Sequence, residues 1–274
     1  MNCCDNNLKY LPSLVNLHFL RVLDCDTNQL VSLPSLPNSL DIIWCTENKL
    51  VLLPELPPIL RFLYCDKNQL TSLPELPSFL RCITCSENQL TSLPQLPLSL
   101  DILYCNKNQL TSLPELPSSL RSISCFENQL TLLPKLPLSL MSLFCGNNQL
   151  ISIHFFPLHL EILNCEDNKL LSLPPLNKYL CELYCINNNF NFSSLPAFIN
   201  SLPNYFSENR LIHYKYYHFR EIYFLSKFRN NFLLWMWKSR EKKFHPDNLL
   251  FAISNFEDPD DPEELNQWMI QNNW

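Results

Sequence analysis

Thirteen cysteines and six histidines carry most of the reactive chemistry that this 274-residue chain has to offer. Cysteine thiolates hold zinc, act as nucleophiles and pair into disulfides. Cys82 and Cys85 stand at C-x-x-C spacing, half of a zinc site. No second cysteine pair with histidines follows at zinc-finger spacing. A strand points successive side chains to opposite faces, so an inward Cys85 makes Cys82 outward and the two cannot share an ion. In repeat register Cys181 takes the outward slot of Asp41 and Cys185 the inward slot of Cys45, so that pair fails too. His154 and His159 have no acidic or cysteine partner in register and read as packing residues. With Gly146 as its one glycine, the chain cannot build a phosphate-cradling loop. Its histidines and carboxylates form no recognisable acid–base or nucleophile constellation. The expectation is a protein that is not an enzyme and uses no metal and no cofactor.

The cysteines are better explained by what positions them. Nine recur every twenty residues, at Cys25, Cys45, Cys65, Cys85, Cys105, Cys125, Cys145, Cys165 and Cys185. Three residues after each comes an asparagine: Asn28, Asn48, Asn68, Asn88, Asn108, Asn128, Asn148, Asn168 and Asn188. A fixed period of this length means one small unit stacked many times. In the unit Leu40–Pro57 the apolar frame is Leu40, Ile43, Cys45, Leu50, Leu53 and Leu56. The segment Leu40–Thr46 is expected to be a short strand that pairs in parallel with the next coil. Leu40, Ile43 and Cys45 then point inward, and Asp41, Ile42, Trp44 and Thr46 outward. The chain turns sharply at Asn48, where a buried amide can satisfy stranded backbone groups and the next coil's asparagine, making a structural ladder. The return path is L-P-x-L-P, and two prolines three apart exclude a helix there. Helix-free backs space the coils evenly, so the curvature should be gentle.

This frame is the pattern L-x-x-L-x-L-x-x-N-x-L, with cysteine in the third leucine slot, and it resembles the leucine-rich repeat. The text LPELPSSLRSISCFENQLTLLP, from Leu113 to Pro134, is similar to the bacterial-effector subclass of those proteins. The cysteine-bearing version is most similar to leucine-rich repeat proteins of large amoeba-infecting DNA viruses. The resemblance covers about two thirds of the chain and implies a β-dominated α/β-solenoid: short parallel strands, an extended helix-free convex side and a small C-terminal helical element. Some bacterial relatives add a ubiquitin-ligase domain with a cysteine nucleophile. No cysteine follows Cys185 here, so that role is not expected.

Domain organisation follows the period. Residues 1–192 read as a solenoid of about nine to ten coils. The first coil is partial, and its strand edge looks poorly protected. The eighth is worn, with Ile153-His154-Phe155-Phe156-Pro157 in place of L-P-x-L-P. Residues 193–274 read as a helical cap or tail, with Pro246 suited to a first helical position and Asp261 to a helix start. Residues 208–243 are basic and aromatic, whereas residues 244–274 hold no Lys or Arg.

The nine repeated cysteines fall in an inward slot, where a free thiol behaves as a small apolar residue. No leader segment and no run of about 18 apolar residues is visible. A reducing intracellular setting, cytoplasmic (the host cell's, for a viral protein), is the consistent expectation.

One outward column reads Asp24, Trp44, Tyr64, Thr84, Tyr104, Ser124, Phe144, Asn164 and Tyr184. Rings in a line on an open sheet are what protein interfaces use as anchors. Trp44, Tyr64, Tyr104, Phe144 and Tyr184 are therefore the candidate partner-binding residues, for a protein partner of unknown identity. Two flanking columns alternate in charge: Arg21, Asp41, Arg61, Arg81, Asp101, Arg121, and Glu47, Lys67, Glu87, Lys107, Glu127. They read as self-neutralising ladders. Two alternatives attach to the C-terminal element. It could bind nucleic acid or a membrane surface through residues 208–243, or act as an adaptor recruiting host machinery.

Overall fold

The computed structural model describes residues 1–177, 179–185 and 187–189. Nine strands form one parallel sheet in chain order. They are β1 (Val22–Asp24), β2 (Ile42–Trp44), β3 (Phe62–Tyr64), β4 (Cys82–Thr84), β5 (Ile102–Tyr104), β6 (Ser122–Ser124), β7 (Ser142–Phe144), β8 (Ile162–Asn164) and β9 (Glu182–Tyr184). Each residue pairs with the one twenty positions on, as Trp44 does with Tyr64. No helix occurs among the described residues. The proline-rich return path explains this, because each proline removes a donor and blocks the preceding turn. The prolines also end the return path. The amide of Leu60 donates to the carbonyl of Pro57 at 3.1 Å, and the same turn recurs at Leu80, Leu100, Leu120 and Leu140.

The regular strands span three residues rather than the seven expected for Leu40–Thr46. The chain turns at both ends of so short a coil, although bonding between coils continues beyond the strand. The Cys45 amide donates to the Tyr64 carbonyl at 2.8 Å, and the Arg61 amide to the Asp41 carbonyl at 2.9 Å. The early edge is also better covered than the sequence suggested. The Cys3 amide donates to the Asp24 carbonyl and the Asp24 amide to the Met1 carbonyl, so residues 1–3 flank β1.

The core lies between sheet and return path. Leu40, Ile43, Cys45 and Leu50 are fully buried, with Leu53 and Leu56 nearly so. Burying one leucine completely contributes about 1.5–3 kcal/mol, and each coil repeats the set. The nine repeated cysteines are all buried and none is in a disulfide. The thiols of Cys25, Cys45, Cys65 and Cys85 donate to the next coil, as Cys65 Sγ does to the Thr84 carbonyl at 3.2 Å. Burial raises their pKa; that of Cys125 is pushed up to about 12.

The asparagine side chains bond to backbone rather than from amide to amide. Asn48 Nδ2 donates to the carbonyls of Cys25 (2.9 Å), Cys45 (3.3 Å) and Thr46 (3.2 Å), while its Oδ1 accepts the Leu30 amide at 3.0 Å. Asn68, Asn88, Asn108, Asn128, Asn148 and Asn168 repeat the donations to their own and the previous coil's Cys carbonyl. The turn strands groups of two adjacent coils within reach of one amide, and these satisfy it first.

The same turn forces the residue before each asparagine into the left-handed region. Thr27, Glu47, Lys67, Glu87, Lys107, Glu127, Asn147, Asp167 and Asn187 all have φ between 49° and 55°. Glycine would adopt this conformation freely, yet none of these positions is glycine. Gly146 serves another purpose: a Cβ there would lie 2.8 Å from the Phe126 ring and 2.7 Å from Asn164 Oδ1.

A second ladder, not anticipated from the sequence, runs along the turn before the strands. Ser99, Ser119 and Ser139 each donate Oγ to two carbonyls of the previous coil, and Asn177 does so with its amide.

Candidate functional site

The inner side of each coil is filled, and every buried polar side-chain atom among the described residues has a partner. The open sheet face is where side chains remain available. Its columns follow from strand alternation. Leu23, Ile43, Leu63 and Ile83 are fully buried, while their neighbours on the strand face outward.

The central outward column is not a uniform line of rings. Trp44 and Tyr64 stack with centroids 6.0 Å apart and planes at 28°. Thr84, between Tyr64 and Tyr104, is buried, as is Ser124 between Tyr104 and Phe144. Small residues thus sit sunken between larger half-exposed ones. The Thr84 hydroxyl bonds to Asp66 Oδ2, and the Ser124 hydroxyl bonds to Asn106 Oδ1 at 2.6 Å. Tyr104 and Ser122 hydroxyls lie 3.4 Å apart. Tyr184 donates to Glu182 Oε2 at 3.2 Å. The structure thus places all five sequence-derived ring positions on one register column, but of these five only Trp44 and Tyr64 are in ring-to-ring contact.

Cys82 corrects the sequence reading in one respect. It lies on the outward column with Phe62 and Ile102, as the register demands, yet it is buried. Its register neighbours are the larger Phe62 and Ile102, and the Tyr64 hydroxyl hydrogen-bonds to its short side chain. Burial raises its pKa. Among the described residues no group of three or more His, Cys, Asp and Glu side chains is arranged to hold a metal ion.

The next outward column reads Asp26, Thr46, Asp66, Ser86, Asn106, Phe126, Gly146 and Glu166. Its short polar side chains hold the following coil: Asp26 Oδ1 accepts the Thr46 amide at 2.5 Å, Asp66 Oδ1 the Ser86 amide at 2.6 Å and Asn106 Oδ1 the Phe126 amide at 2.9 Å. The signal for this role in the sequence is Asp26, Asp66, Ser86 and Asn106, a short polar residue one position past four of the repeated cysteines. Burial raises the Asp26 pKa most; the Thr46 amide opposes that, and the nearby charges of Asp24, Asp66 and Glu47 add to the rise.

The flanking charges pair in part. Arg61 bonds to Asp41, with Nε 2.6 Å from Oδ1, and holds that carboxyl below its usual range. Lys67 pairs with Glu47, and Lys107 with Glu87 at 3.3 Å. The Arg61 guanidinium also lies 5.8 Å from the Phe62 ring centroid.

YopM from Yersinia enterocolitica matches at 37% identity, covering 68% of this chain and 46% of that one, with a TM-score of 0.59. YopM from Yersinia pestis, a leucine-rich effector protein, matches at 40% identity over 68% of this chain and 54% of that one, with a TM-score of 0.65. The chain is a leucine-rich repeat solenoid. It spans about half the length of the YopM chains it matches. The functional domain of InlJ from Listeria monocytogenes, which includes a cysteine ladder, shares the fold at 23% identity and a TM-score of 0.61, over 70% of this chain and 44% of that one. No protein-family profile matches the repeat chain. No curated protein does either.

Proposed function

We propose that this leucine-rich repeat chain is a non-enzymatic, effector-like module that binds a partner protein on its open sheet face. The half-exposed rings of Trp44, Tyr64, Tyr104, Phe144 and Tyr184 are the contact stripe. One observation carries the reading: the rings stand on a single column over a sheet whose inner face is already filled, with Thr84 and Ser124 sunk between them. Aromatic anchors separated by small residues make pockets as well as ridges, and such rings dominate interface energetics. Leucine-rich repeat neighbours support a protein partner.

The buried, unpaired thiols favour a reducing intracellular location. The resemblance to repeat proteins of amoeba-infecting viruses would make that the host cytoplasm. No helix among the described residues is long and apolar enough to cross a membrane. The helical cap or tail at 193–274, its adaptor role, and the nucleic-acid and membrane roles of residues 208–243 lie outside the described residues.

The test uses the full chain as bait. Replacing Trp44, Tyr64 and Tyr104 together by serine should remove the captured proteins while shifting the unfolding midpoint little. Capture that persists in the triple variant refutes the stripe.

A further inference from the structure

The open face is uneven, and its early end has a distinct chemistry. Around the stacked rings of Trp44 and Tyr64 stand three part-exposed carboxylates. Asp24 is the register neighbour of Trp44 on β1. Asp26 and Asp66 occupy the adjacent outward column on either side of Thr46. From positions 21–27, 41–47 and 61–67 the charged residues are Asp24, Asp26, Asp41, Glu47 and Asp66 against Arg21, Arg61 and Lys67, five acids against three bases. Two of those bases are already engaged, Arg61 with Asp41 and Lys67 with Glu47. The field left at the rings is negative, and the upward push on Asp26 from Asp24, Asp66 and Glu47 is the same repulsion seen from one carboxylate. The middle of the face differs: Ser122, Ser124 and Ser142 stand there, neutral and small. No Lys or Arg occurs in the three outward columns that begin at Val22, Asp24 and Asp26.

Ring faces attract cations, and a guanidinium can lie on a ring while forking its donors to a carboxylate. Resting on the reading that this face binds a protein, we infer that its early end, built from Trp44, Tyr64, Asp24, Asp26 and Asp66, seats an arginine-bearing extended segment of the partner. The coils set the spacing. Asp26 and Asp66 lie two strands apart, roughly 10 Å, which an extended chain covers in about three residues. An R-x-x-R segment laid across the strands therefore brings one arginine to each carboxylate, with the Trp44 and Tyr64 rings alongside in the neighbouring column. Polyanions and acidic peptides are repelled by the same groups.

The experiment measures anisotropy of short labelled peptides with the full chain. The peptides carry R-x-x-R, K-x-x-K or E-x-x-E in one shared neutral background. The arginine peptide should bind at least about tenfold tighter than the glutamate peptide, with lysine between, and weaken as salt rises. Asp26→Asn with Asp66→Asn keeps acceptors for the Thr46 and Ser86 amides and should cost arginine binding about tenfold or more. Glu55→Gln with Glu75→Gln removes the same charge from the return path and should change nothing. No binding by the arginine peptide, equal binding by the glutamate peptide, or an unaffected Asp26/Asp66 variant overturns the inference. If the Asp26/Asp66 variant still captures partners that the ring variant loses, the arginine seat falls while the interaction face stands.

Discussion

The two sides of each strand obey different rules. Inward positions repeat with little variation: leucine or isoleucine at Leu23, Ile43, Leu63 and Ile83, then cysteine at Cys25, Cys45, Cys65 and Cys85. Outward positions change from coil to coil, through Asp24, Trp44, Tyr64, Thr84, Tyr104 and Ser124. The inner side is confined by its neighbours in three directions, so only one volume and one pattern of bonding fit. The outer side is confined only along the sheet, so it is free to carry the chemistry of recognition. The contrast teaches where a stacked fold fixes its sequence and where it leaves it free, and it can be broken experimentally.

The largest effect should come from the inner side. Asn68→Ala leaves the Leu50 amide without its side-chain acceptor and takes one of the two asparagine donors from each of the Cys45 and Cys65 carbonyls, Asn48 and Asn88 keeping the other. A loss of about 2–4 kcal/mol is expected in denaturant unfolding. The ring variants on the outer side should lie well below that figure. Equal losses on both sides would erase the distinction.

Thiol labelling sharpens the comparison next. Cys181 is exposed, whereas Cys45 through Cys165 in the repeat column are buried with raised pKa. An alkylating reagent at mildly alkaline pH should modify Cys181 in the native chain and reach the buried column only after unfolding. Peptide mapping that finds the column labelled at the rate of Cys181 would show that the coils are not closed.

The smallest effect sits on the outer side and depends on pH. The folded-state pKa of Asp26 is raised, so the folded chain keeps that proton to higher pH than the unfolded chain. The corresponding stability is present at acid pH and is lost as pH rises through the raised value. Asp26→Asn keeps the acceptor for the Thr46 amide, as Asn106 does for Phe126. The variant should match the native chain in acid and exceed it at neutral pH by less than about 1 kcal/mol, since solvent screens a part-exposed carboxylate. Thermal unfolding across that range is the measurement. Such a gain, alongside weaker binding of arginine peptides, would mark Asp26 as a residue held for recognition at a cost in stability.

Much of the fold was legible because the period repeats the same physical problem. The six-position apolar frame of Leu40–Pro57 is the buried set observed. The prolines excluded a helix on the return path, and none is seen among the described residues. Three features were set by the tertiary structure. Strand length could not be read, because residues such as Arg61 and Cys65 keep their bonds to neighbouring coils outside the regular strand. The left-handed turn at Glu47 and Lys67 was hidden, because no glycine marks it. The burial of Cys82 arises among neighbours twenty residues away on either side, Phe62 and Ile102.

The sequence by itself determined that the chain stacks in twenty-residue coils, which residues line the interior, and which column of rings faces outward. Periodicity carries that information, since each coil must solve the same packing and turn within the same number of residues. Only the tertiary structure decided how the outward side chains group: Trp44 against Tyr64, Thr84 and Ser124 sunk between larger neighbours, and Asp24, Asp26 and Asp66 gathered around the stacked rings. Those groupings arise between coils, where residues twenty apart become neighbours at one strand spacing, and no local pattern along the chain encodes them.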